Sequence, residues 1–150
     1  MTEDTDVTVL ALRRLTVLGL QTTMLMGTGD NRRKILLKPI HIRLGTSKAA
    51  ALPGFHCLTG CDTCGHIRGI GKKTAFKAFT EATPEELTAL SQLGEPEMPS
   101  QSVVSGCERF LCRLMGTKND LQANTAEKLR LERFKSQPGG IDKISPTSGA

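Results

Sequence analysis

Three aspartates have the residue type and spacing to hold a divalent cation. Asp4 and Asp6 lie two residues apart in front of an apolar run, and side chains at that spacing share one face of a strand. Two carboxylates so close together repel unless a cation lies between them, and Mg²⁺ or Mn²⁺ prefers such hard oxygen ligands. Asp62 follows a glycine and a cysteine and precedes a glycine-rich loop. The alternative is a solvated acidic N-terminus for the first pair and a turn or helix-cap role for Asp62.

A second group of residues is typical of a phosphate-binding loop. Residues 67–75 contain two glycines and three cations directly before a predicted helix. Glycine lets the backbone approach a phosphate closely, and the N–H groups at a helix N-terminus attract an anion. The spacing is neither that of a P-loop nor that of a dinucleotide-binding fingerprint. The pattern predicts a hairpin that binds a nucleic-acid backbone without reading bases, and the alternative is an ordinary basic helix–helix turn. The candidate contacts are Arg68, Gly69, Gly71, Lys72 and Lys73.

A cluster of cysteines and histidines provides a third candidate site. Cys57, Cys61, Cys64 and His66 carry the sulfur and nitrogen ligands that zinc prefers. However, no second cluster follows at a zinc-finger spacing, and Cys57 and Cys61 are four residues apart, which fits one apolar face of a helix. The thiols are therefore predicted to be reduced and packed, with zinc as the alternative. A Cys–His hydrolase is not favoured, because no acid that would orient His56 is evident.

The elements that must position these residues follow from periodicity and turn signals. Residues 6–12 form a β-branched apolar run, which predicts a strand buried on both faces, as in a parallel sheet. Residues 22–37 predict a hairpin around a five-residue loop at 27–31. Helices are predicted over 40–44, 47–58, 73–80, from Thr83 onward, over 100–115 and over 124–134. Because a buried parallel strand needs neighbours on both sides, the sequence is predicted to be a piece of a larger domain, cut in front of Asp4.

Composition limits the classes of partner and compartment. The formal net charge of +5 and the pI of about 9.1 favour polyanionic partners. Five Phe without Trp or Tyr argue against an RNA-recognition sheet or an OB-fold, since both stack bases on aromatic rings. The apolar runs are too short to cross a bilayer, and the first residues are acidic, unlike a signal peptide. With an odd number of cysteines, this predicts an intracellular protein, nuclear or cytoplasmic, with no membrane partner.

Taken in order, these motifs resemble the flap-endonuclease-type, PIN-like nuclease domain. Residues 3–12 are similar to that family's Asp-x-Asp metal-binding strand, and residues 60–75 to its Gly-Cys-Asp ligand and the helix–two-turn–helix that follows. Residues 27–33, 52–63 and 105–110 are closer still to a group of uncharacterised animal proteins that carry this domain. The similarity covers most of the chain.

The resemblance implies an α/β fold with a partial PIN-like parallel sheet, followed by a helical C-terminal portion with a helix-hairpin-helix-like loop. Residues 1–135 would be the C-terminal half of the nuclease domain and 136–150 an irregular tail. Asp4, Asp6 and Asp62 would bind Mg²⁺ or Mn²⁺ for phosphodiester hydrolysis of nucleic acid, DNA in preference to RNA. The family's first Asp and paired glutamates lie upstream of the matched region, so weak or absent activity is expected. The alternatives are a non-catalytic module that binds the nucleic-acid backbone and a small zinc-stabilised interaction module.

Overall fold

A computed structural model describes residues 5–61, 67, 70–116 and 125–136, with side chains described as far as residue 132. Within these ranges the chain forms eight α-helices and one two-stranded sheet. The helices are α1 Thr5–Arg13, α2 Leu15–Leu18, α3 Leu37–Leu44, α4 Thr46–Leu58, α5 Lys72–Thr80, α6 Pro84–Gln92, α7 Gln101–Met115 and α8 Ala126–Ser136. The strands are β1 Thr23–Met26 and β2 Arg33–Leu36. Six predicted site residues lie outside the described ranges: Asp4, Asp62, Cys64, His66, Arg68 and Gly69.

The fold is α/β in its general form, mostly helical with one small sheet. The two strands are antiparallel, so the described ranges contain no parallel sheet of the PIN-like kind. The loop between α4 and α5, predicted to resemble a helix-hairpin-helix, is described only at residues 59–61, 67, 70 and 71.

The prediction of a strand at residues 6–12 is wrong, because these residues belong to helix α1. Their burial has a helical pattern: Val9 and Leu12 are buried, whereas Val7 and Leu10 are more than 40% exposed. Helix α1 packs one side against α4. The β-branched residues favour a strand only weakly, and burial of a single face against another helix outweighs that preference.

The hairpin predicted over residues 22–37 is confirmed. Strand β1 pairs antiparallel with β2, with Thr23 opposite Leu36 and Met26 opposite Arg33. The connection has six residues, one more than predicted, and includes a short 3₁₀ turn at Gly29–Asn31. At its start Gly27 has a φ of +91°, and a Cβ atom there would lie 2.5 Å from the carbonyl oxygen of Asn31. The turn therefore requires glycine at this position.

The core is formed by residues of α1 to α7, and its aromatic part lies between α4, α5 and α7. The rings of Phe55 and Phe79 stack with their centroids 4.5 Å apart, and Phe110 packs edge-on against both. Helix α4 approaches α6 closely, because Gly54 lies directly on the backbone of Leu90. Helix α7 approaches α6 in the same way, with Gly106 against Ala89. These glycines allow the helices to pack at backbone distance.

Helix α6 begins as its sequence predicts. The hydroxyl of Thr83 accepts a hydrogen bond from the N–H of Glu86, and the carboxylate of Glu86 accepts one from the N–H of Thr83. Pro84 occupies the first helical position, where its missing N–H costs nothing. This reciprocal cap is a local feature, and it therefore could be predicted from the sequence.

Candidate nucleic-acid interface at the start of helix α5

The first turn of α5 is open. Gly71, the residue before the helix, has extended backbone and no side chain to cap the helix. A Cβ atom at Gly71 would meet no described atom within 4 Å. Within the described ranges, no side chain or carbonyl accepts from the N–H groups of residues 72–74. This helix end is thus accessible, and its N–H groups and dipole carry the partial positive charge that attracts an anion.

Lys72 points away from that opening and back toward α4. Its Nζ donates to the carbonyl oxygen of His56 at 3.3 Å, to Oγ1 of Thr59 at 3.2 Å and to the carbonyl oxygen of Gly60. The last carbonyls of a helix lack intrahelical partners and carry the negative end of its dipole, so a cation stabilises them. Lys72 thus joins the end of α4 to the start of α5.

Lys73 and Lys77 form the exposed basic side of α5. They are four residues apart, so they lie on the same face of the helix. The opposite face carries Ala75 and Phe79, which are buried in the core. Phe76 is 43% exposed and touches Phe55 edge-on. Among the predicted backbone contacts, Gly71 and Lys73 lie at the open end of α5, whereas the ammonium of Lys72 is used within the protein.

Asp6 lies against the last turn of α4. Its Oδ1 is 2.5 Å from Nε2 of His56. The two side chains are half-buried, with 38% of Asp6 and 15% of His56 exposed. The sequence offered no signal for this pair, because the residues are fifty positions apart and Asp6 was predicted on a strand. The pairing also supplies the acid for His56 that was not evident from the sequence.

Three chain segments therefore meet at one end of the molecule. The ring of His56 contacts Asp6 at the start of α1, and its carbonyl oxygen accepts from Lys72 at the start of α5. One predicted metal ligand and the first residue of α5 therefore both contact the last turn of α4. Asp62 follows six residues after His56 in the sequence, outside the described ranges.

The described donors do not complete a metal site. In the ranges given above, no three His, Cys, Asp or Glu side chains lie close enough to hold an ion. Asp6 and His56 provide one oxygen and one nitrogen, whereas Mg²⁺ takes six ligands, mostly oxygens. These two residues alone do not fit either predicted ion.

The cysteines divide into two environments. Cys57 is exposed on α4 and Cys61 is half-buried. The prediction that they share one helix face is wrong, because α4 ends at Leu58 and Gly60, with a φ of +98°, turns the chain before Cys61. Cys107 is buried in α7, and this burial raises the pKa of its thiol to about 11. Burial, with a smaller contribution from the charge of Glu108, also raises the pKa of Cys112 to about 11.

None of the helices in the described ranges is long and apolar enough to span a bilayer. The comparisons with protein-family models, with curated proteins and with solved structures found no match to this chain.

Proposed function

We propose that this protein binds the sugar–phosphate backbone of nucleic acid at the start of α5, DNA in preference to RNA. The observation that carries the proposal is the open first turn of α5. Its N–H groups have no acceptors in the described ranges, and the glycine before it has no side chain to cap the helix. An anion at this position satisfies those N–H groups and interacts favourably with the helix dipole. Lys73 and Lys77 extend the positive surface along the same helix.

The groups available favour phosphate contacts over base recognition. Phe55, Phe79 and Phe110 are buried in the core, so among the described rings only the partly exposed Phe76 could stack on a base. Helix N–H groups and lysine ammonium groups interact with phosphate oxygens and carry no sequence information. The binding should therefore be independent of sequence and strongly weakened by salt.

Two adjacent lysines have separate roles in this proposal. Lys72 holds the start of α5 against the end of α4 and so positions the N–H groups. Lys73 contacts the phosphate directly. Replacement of Lys72 should therefore lower both stability and affinity, whereas replacement of Lys73 should lower affinity alone.

The test is the salt dependence of binding to a fluorescently labelled DNA duplex, measured by anisotropy. In the Lys73→Ala/Lys77→Ala variant, the slope of log K against log salt should become shallower by about 0.9 for each lost phosphate contact. Lys34→Ala/Lys38→Ala, at exposed positions of β2 and α3, removes the same two charges elsewhere in the chain and serves as the control. An unchanged slope in the α5 variant, or a larger change in the control, would reject α5 as the binding site.

Metal-dependent phosphodiester hydrolysis is the second candidate function. It is favoured by the position of Asp6 beside the last turn of α4, since His56 in that turn also accepts from Lys72 at the start of α5. The measurement is Mn²⁺ titration calorimetry on the wild type, Asp6→Asn and Asp62→Asn, followed by a cleavage assay. Loss of Mn²⁺ binding in both variants supports a shared metal centre. Binding that persists in both variants rejects these ligands, and native mass spectrometry of the same sample reports any bound zinc.

A further inference from the structure

We propose that the β1–β2 hairpin binds an acidic, extended segment of a partner protein, which pairs with β2 as a third strand. This interaction is separate from the nucleic-acid site at α5. Three properties of the hairpin support it: an exposed apolar face, an open strand edge and an uncompensated positive charge.

The hairpin has one face on the protein and one in solvent. Met24 and Ile35, which are paired across the strands, pack against the core, and Sδ of Met26 lies 3.7 Å from the hydroxyl of Thr8 on α1. On the other face, Leu25 is 52% exposed and Leu36 is 56% exposed. An isolated two-stranded sheet is marginal in water, and further strands or a covering partner stabilise it.

The outer edge of β2 has unpaired backbone groups. The N–H of Leu37 donates to the carbonyl oxygen of Thr22, just beyond the paired strands. In an antiparallel ladder the bonded pairs alternate, so the N–H and C=O groups of Lys34 and Leu36 point away from β1. The carbonyl oxygen of Leu36 is used at the start of α3, where this residue is the N-cap, whereas the N–H and C=O of Lys34 and the N–H of Leu36 have no backbone partner in the described ranges. Such an edge is a template for an additional strand.

The positive charge of the chain is concentrated around this hairpin. Residues 7–44 contain seven Lys or Arg residues and a single acid, Asp30, whereas the rest of the chain is close to balanced. Arg32, Arg33 and Lys34 are consecutive, and in the part of the chain that the structure describes none of them forms a salt bridge. A partner for this edge must therefore carry negative charge.

An acidic peptide fits these properties better than a second copy or a nucleic acid does. Pairing of β2 with β2 of a second copy would bring Arg33 and Lys34 against the same residues, and like charges on adjacent strands repel. A nucleic acid would neutralise the cations but leave Leu36 uncovered. Lys34 and Leu36 are neighbours on the solvent face, so the matching strand has an acidic and an apolar side chain two positions apart.

The experiment uses a synthetic probe with that pattern, the peptide Glu-Thr-Val-Thr-Glu-Thr-Val-Thr, titrated into the ¹⁵N-labelled full chain. We expect the amide signals of β2 to shift and the amide of Leu36 to be protected from exchange. The control peptide has lysine in place of glutamate and should bind at least tenfold more weakly. Lys34→Glu should reverse this preference between the two peptides.

Two variants at Leu36 separate the backbone contact from the side chain. Leu36 has a φ of −81°, which proline can adopt, so Leu36→Pro removes the outward N–H without breaking the ladder to β1. It should abolish binding, whereas Leu36→Ala should weaken it and keep the exchange protection. Equal binding of both peptides, no binding at millimolar concentration, or shifts confined to α5 would overturn the proposal. Shifts of β2 produced by a DNA duplex and not by the peptide would overturn it as well.

Discussion

Nε2 of His56, in the last turn of α4, lies 2.5 Å from Oδ1 of Asp6, in the first turn of α1. Asp6 lies at the N-terminal end of α1, and His56 lies at the C-terminal end of α4. The contact thus joins the start of one helix to the end of the other. It also connects α1 to the end of α4 that Lys72 joins to α5.

Removing this pair should loosen the contact between α1 and α4. We expect Asp6→Asn and His56→Gln each to lower the free energy of unfolding by about 1 kcal/mol, since the pair is partly exposed. Urea unfolding of both single variants and the double variant completes a double-mutant cycle. The double variant should lose less than the sum of the single losses. Strictly additive losses would mean that the two side chains do not interact in solution.

The buried carboxylate of Glu86 should be more important for stability. Only 3% of this residue is exposed, and its two oxygens lie 2.9 and 3.2 Å from Nε of Arg113. Glu86→Gln keeps a cap for α6 but leaves Arg113 without its counter-charge, so it should cost about 2 kcal/mol of unfolding free energy. The control is Glu97→Gln, at an exposed position. Equal stabilities of the two variants in urea would contradict a structural role for the ion pair.

The close approach of α6 and α7 depends on the absence of a side chain at Gly106. A methyl group there would overlap the Cβ of Ala89. Gly106→Ala should therefore destabilise the protein by about 2 kcal/mol, although alanine is the better helix former. Ala89→Gly in the same chain removes the overlap and should recover part of the loss. Thermal unfolding of the wild type, the single variant and the double variant tests this, and a Gly106→Ala variant as stable as wild type would exclude this packing.

The buried cysteines should resist alkylation. The thiolate is the reactive form, and with pKa values raised to about 11 the thiols of Cys107 and Cys112 are almost fully protonated at pH 8. Timed iodoacetamide labelling, read by mass spectrometry, should modify the exposed Cys57 well before either of them. In concentrated urea the difference should disappear. Labelling of Cys107 at the rate of Cys57 in the native protein would contradict its burial.

The same pKa values determine how stability changes at alkaline pH. The ordinary pKa of a cysteine thiol is about 9, and in the native protein it is raised to about 11 for both residues. Between these two pH values the unfolded chain loses protons that the native state retains. The free energy of unfolding should therefore be unaffected below this interval and fall as the pH rises through it. Urea unfolding at pH 8 and pH 10 measures the decline, which Cys107→Ala should reduce.

Features that depend on neighbouring residues could be predicted from the sequence. The hairpin follows from the turn residues after Met26, and the start of α6 follows from Thr83, Pro84 and Glu86. In these cases the groups that satisfy the backbone lie within a few positions of one another. The open first turn of α5 likewise follows from Gly71, which has no side chain to cap it.

The sequence by itself determined the local elements and the concentration of positive charge in residues 7–44. Only the tertiary structure decided that the first apolar run is a helix. A short apolar run is compatible with the periodicity of a strand and with that of a helix, and the packing of one face against α4 selects the helix. Only the tertiary structure assigned Lys72 to the end of α4 and Asp6 to His56. The partners in these contacts are 13 and 50 positions apart, so the path of the chain, and not the local spacing, brings them together.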